Sequence, residues 1–136
     1  MNFFDYLKNN IVYLDGGMGT LLQANGLAPG EYPERWNLSH PEVIAQIHKD
    51  YFDAGSNVVC TNTFGANALK FSDEELDQII KAAIDNARAA KAASSSPTEK
   101  FIALDIGPSG KLLRPLGDLD FEDAVSLFAK TIKIGA

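Results

Sequence analysis

Three short apolar runs, each closing on polar and glycine residues and separated by helix-periodic segments, constrain this chain more than any other feature. They are Ile11-Val12-Tyr13-Leu14-Asp15, Asn57-Val58-Val59-Cys60-Thr61 and Phe101-Ile102-Ala103-Leu104-Asp105-Ile106. Apolar runs without alternation suit parallel strands covered on both faces, and the first run reads as a buried strand of this kind. Helices between the strands replace hairpins by crossovers, so the order βα-βα-βα means an α/β fold on a parallel sheet.

The helical segments carry boundary signals of their own. Phe3, Phe4 and Leu7 share a face within residues 2–9, and Leu21 and Leu22 begin a short helix that Asn25-Gly26 ends. Pro29, Gly30 and Pro33 leave 28–37 irregular. Ser39 and Glu42 have capping-box spacing ahead of a stripe of Val43, Ile47 and Tyr51, with Ile44 beside it and Gly55 as the stop. Ser72 and Glu75 repeat the box, and Leu76, Ile79, Ile80, Ala83, Ile84, Ala87 and Ala90 behind them form the clearest helix of the chain. Asp120 caps a last helix with an expected buried stripe of Phe121, Val125, Phe128 and Ile132.

Composition narrows the function classes. The 136 residues carry 12 Lys and Arg against 18 Asp and Glu, a net charge of −6, with no basic stripe to neutralise phosphates; nucleic acid is not the expected partner. No run approaches the ~18 apolar residues that span a bilayer, and the N-terminus lacks a signal-peptide pattern. The single cysteine, Cys60, excludes an internal disulfide, and a reducing cytoplasm is the natural compartment.

Parallel strands bring their carboxyl ends together, here Asp15 with Gly16, Gly17 and Gly19, then Thr61 to Gly65, then Asp105 to Gly110. Such a loop cluster can form a pocket, and the same residue types also cap helices and close turns. An acid presented as Asp15 is can orient an amine, bind a metal or take a proton. Leu22 occupies the last glycine position of a G-x-G-x-x-G dinucleotide pattern, and no phosphate-loop motif is present. Cys60, His40 and His48 lack metal-ligand spacing. Cys60 reads as a small core residue, His48 as lying on the polar side of its helix, and Trp36 as a packing anchor. Asp105 reads as the residue that fixes the Gly107-Pro108 turn, with a substrate-ligand role as the alternative. Lys111 and Arg114 read as solvated loop cations.

The order Asp15-Gly16-Gly17-Met18-Gly19-Thr20, Trp36-Asn37, Pro41-Glu42-Val43, His48, Ala54-Gly55-Ser56, Thr61-Asn62-Thr63-Phe64-Gly65-Ala66-Asn67 and Ile106-Gly107-Pro108-Ser109-Gly110 resembles the homocysteine S-methyltransferase family. The similarity is greatest to the N-terminal homocysteine-binding module of the cobalamin-dependent methionine synthases. The resemblance implies that residues 1–136 are the first three βα units of a (β/α)8 TIM barrel, an incomplete portion of one domain that binds homocysteine at its strand ends. It implies substrate contacts from Asp15, Gly16, Gly17, Thr61 and Phe64, with Asp15 on the amino-acid end. It also implies zinc held by three cysteine thiolates of later strands, none of them in this chain, and methylcobalamin with methyltetrahydrofolate as the methyl source on other modules. On this reading the chain contributes no catalytic residue and no metal ligand of its own. The alternative is a non-catalytic half-barrel that works only by assembling with another chain, since bare sheet edges invite a homo-oligomer.

Overall fold

The computed structural model describes residues 1–136. Its helices are α1 (Phe3–Leu7), α2 (Gly19–Ala24), α3 (Trp36–Ser39), α4 (Pro41–Asp53), α5 (Asp73–Ala93) and α6 (Phe121–Gly135). Its strands are β1 (Val58–Cys60) and β2 (Phe101–Ala103), and a 3-10 turn covers Pro33–Arg35. The strands pair in parallel, Val59 opposite Ile102. A third segment joins through a parallel bridge from Leu14 to Val58, with the Asp15 N–H donating to Val58 O at 2.9 Å.

Helices α4 and α5 supply most of the core. Phe52 of α4 and Ala87 and Ala90 of α5 close over Val59, all essentially inaccessible to water. The expected stripe of α5 is largely borne out, with Leu76, Ile79, Ile80, Ala83, Ala87 and Ala90 buried and Ile84 partly buried. Half of its capping box forms: Ser72 Oγ accepts the Glu75 N–H at 3.3 Å, while the Glu75 carboxylate pairs with Arg35 instead of reaching back to the cap. Trp36 is 3% exposed and stacks on His40, as a packing anchor does.

Several expectations are overturned. The first apolar run is not a buried strand: Ile11 is 74% exposed and Leu14 65%, because the segment pairs through its backbone at the sheet edge and its large side chains find no cover. Residues 28–37 are not wholly irregular, since Pro33 starts the 3-10 turn that runs into α3. Ser39 does not cap α4. Its hydroxyl turns to Arg35 O and the His40 ring, His40 takes the cap position without a side-chain bond, and Pro41 opens the helix. His48 is fully buried rather than on a polar face, because α4 is packed on more than one side, by α3, α5 and β1.

Helix α6 faces inward with a different stripe from the one expected. Ala124, Leu127 and Thr131 are buried, whereas Phe121, Val125 and Ile132 are exposed and Phe128 is only partly buried. Thr131 Oγ1 donates to the Ala66 carbonyl at 3.1 Å, a bond no Phe, Val or Ile side chain could supply. Asp120 precedes α6, yet its carboxylate pairs with Arg114 instead of capping the helix.

Candidate functional site

The carboxyl ends of the three parallel segments meet at a cleft of about 320 Å³. Asp15 and Gly16 line it from the edge segment, Cys60, Thr61 and Phe64 from the end of β1, and Asp105 from the end of β2. Pro33 and Glu34 of the 3-10 turn form a further part of its wall.

Asp15 is held by its neighbour strand. Its Oδ2 accepts the Cys60 N–H at 2.9 Å, which fixes the carboxylate and leaves Oδ1 without a hydrogen-bond partner in the chain. Gly16 lines the cleft, and a Cβ there would meet the Tyr51 hydroxyl at 3.0 Å. That hydroxyl donates to Gly17 O at 2.6 Å and ties the glycine loop to α4. Gly17 therefore anchors the loop and does not itself line the cleft. Phe64 is 60% exposed at the rim.

Thr61 is 2% exposed, and its hydroxyl is engaged within the loops. Oγ1 accepts the Asp105 N–H at 3.1 Å and bonds the Thr63 hydroxyl, which donates in turn to Asp105 O. The two threonines thus lock the β1 and β2 ends together. The Gly107-Pro108 turn is not held by the Asp105 carboxylate; the Gly107 N–H donates to Phe64 O at 3.1 Å. The Asp105 carboxyl instead faces the cleft, where burial and then the charge of Asp15 raise its pKa.

Cys60 is half-buried at the cleft wall, not a core residue. Burial, reinforced by the Asp15 and Asp105 charges, pushes its thiol up to about 11, so it stays protonated at neutral pH. No three His, Cys, Asp or Glu side chains come together to hold a metal ion. Glu34 went unrecognised in the sequence. It is 5% exposed, its Oε1 accepts the Gly65 N–H at 2.7 Å, and Oε2 has no partner. The available signal was an acid directly after Pro33, upstream of Trp36-Asn37.

The profile of homocysteine S-methyltransferases matches residues 12–136. The chain belongs to that family. A methionine synthase of Mycobacterium tuberculosis is 31% identical over 122 residues, which is 82% of this chain and 10% of that protein. The metallated form of the homocysteine methyltransferase MmuM from Escherichia coli superposes with a TM-score of 0.78 at 21% identity, over 96% of this chain and 51% of that one. Its apo form gives 0.72 at 22% identity. The fold is therefore that of part of a homocysteine methyltransferase barrel, and the chain spans about half of MmuM and a tenth of the methionine synthase.

Proposed function

We propose that these residues form the amino-acid-gripping part of a methionine-synthase-type homocysteine S-methyltransferase, whose product is methionine. The observation that carries the reading is the cleft at the parallel strand ends, with the Asp15 carboxylate fixed by Cys60 N–H, in a chain of this family. No basic side chain lines the cleft, while the carboxyl groups of Asp15 and Asp105 face it, so its field favours an ammonium group. Asp15 Oδ1 accepts the homocysteine ammonium, Gly16 lets the ligand approach the backbone, and Phe64 covers it from the rim.

The residues present do not fit a zinc centre, because no set of ligands converges and the one thiol is held protonated. Zinc activation of the substrate sulfur, and transfer from methylcobalamin supplied by methyltetrahydrofolate, belong in this reading to other parts of a complete enzyme. A reducing, cytoplasmic setting suits its lone thiol.

Calorimetric titration of the chain with L-homocysteine tests the proposal. Weak binding that Asp15→Ala abolishes is expected; no binding, or binding indifferent to Asp15, refutes it. A second reading, a half-barrel completed by another chain, is favoured by exposed Phe121, Val125 and Ile132 on α6 and by exposed Tyr13 and Leu14 at the sheet edge. Light scattering that shows a stable assembly supports it, and a well-behaved monomer argues against it.

A further inference from the structure

Behind the cleft, the Pro33–Asn37 strap is tied to the Asn62–Gly65 loop by polar bonds. Asn62 Nδ2 donates to Pro33 O at 2.9 Å and to Asn37 Oδ1 at 3.1 Å, and Asn37 Nδ2 donates back to Asn62 O at 2.8 Å. The fourth tie is the charged one, from the Gly65 N–H to Glu34 Oε1 at 2.7 Å, away from bulk water. It acts on the peptide that follows Phe64. On the other side, the Phe64 carbonyl accepts the Gly107 N–H at 3.1 Å. The Phe64 ring lies so close to Gly107 that a Cβ there would meet it at 2.9 Å. An exposed aromatic on a loop has many rotamers available. This one springs from the Phe64–Gly65 peptide, whose N–H is held by Glu34 and whose C=O is held by Gly107.

We propose that Glu34 is a positioning residue, which holds the Gly65 amide so that the Phe64 ring stays over the homocysteine cleft. It acts as a hydrogen-bond acceptor through Gly65, not as a charge on the ligand: its Oε1 is used by that amide and its Oε2 is closed off from solvent. The inference rests on the reading of the cleft as a homocysteine site, and its test separates the two.

Homocysteine affinity is measured calorimetrically for the unaltered chain, Glu34→Ala, Glu34→Gln, Phe64→Ala and the Glu34→Ala/Phe64→Ala double variant. Gly65 amide exchange and the Phe64 ring to Gly107 contact are followed by NMR without ligand. Leaving the buried Gly65 N–H without its acceptor makes the expected loss for Glu34→Ala about ten-fold in affinity, with faster Gly65 exchange and loss of the ring contact. Glutamine keeps an acceptor oxygen, so Glu34→Gln restores all three. In the Phe64→Ala background, Glu34→Ala costs less than about two-fold, the signature of one residue acting through another. An equal loss in both backgrounds, a Glu34→Gln variant as weak as Glu34→Ala, or unchanged Gly65 exchange in Glu34→Ala overturns the proposal. Absence of homocysteine binding by the unaltered chain, with Gly65 exchange still controlled by Glu34, overturns the functional reading and leaves the clamp standing.

Discussion

His48 offers a direct test of how α4 is packed. Its imidazole is fully buried, neither ring nitrogen has a hydrogen-bond partner, and burial pushes its pKa down to about 4. In the unfolded chain the ring titrates near 6.5. Between those values the unfolded state binds a proton that the folded state refuses, so the stability due to the neutral ring is complete well above pH 6.5. It is lost as pH falls from there towards 4. At roughly 1.4 kcal/mol per pH unit, the gap amounts to about 3 kcal/mol, and about 2 kcal/mol of it is already gone at pH 5. That is a large share of the ~5–15 kcal/mol that holds a domain folded.

Urea unfolding at pH 7 and pH 5, on the unaltered chain and on His48→Leu, isolates this one group from all carboxylates. Between the two pH values the unaltered chain is expected to lose about 2 kcal/mol more than the variant. At pH 7 the leucine variant should be at least as stable, because an unpaired buried N–H costs about 1–3 kcal/mol and leucine has none. If both proteins lose the same stability between pH 7 and pH 5, the ring is not held neutral in the fold and the packing argument fails.

The remaining predictions concern the cleft and a helix end. Cys60, with its thiol pushed up to about 11, should alkylate with iodoacetamide at pH 8 far more slowly in the folded chain than in urea; equal rates would contradict the burial of its thiolate form. Gly107→Ala places a methyl against the Phe64 carbonyl and ring, so thermal unfolding should show a loss of about 1–3 kcal/mol together with a displaced ring, and an unchanged midpoint would mean the loop yields freely. Ser72→Ala removes the N-cap bond to Glu75 and should cost about 1 kcal/mol in denaturant titration, whereas Ser39→Ala, at the box that does not form, should cost no cap energy.

Much of the fold was legible because its signals are local. Helix α5 combines a long 3.6-residue apolar period with a cap that needs only Ser72 and Glu75, both within one turn. The parallel sheet followed from the alternation of runs and helices, and Asp15 was legible as a strand-end acid on a glycine loop. Family motifs then narrowed its role, a step that residue chemistry alone left open. Asp105 was visible as a residue, yet its side chain could not be aimed from sequence: whether it turns into the cleft or back onto its own turn depends on Thr61 and Thr63, more than forty residues away along the chain.

The sequence by itself determined the order of elements, the parallel pairing, the long α5 helix and the placing of Asp15, because each depends on short-range periodicity or on the shared direction of parallel strands. Only the tertiary structure decided which of two apolar faces α6 turns inward, that His48 is enclosed, and that Glu34 reaches across to Gly65. Those outcomes depend on what each side chain meets from distant segments, where a hydroxyl on Thr131 outweighs a larger apolar stripe. Periodicity says that a face is apolar; close packing and the pairing of buried polar groups decide which face is used.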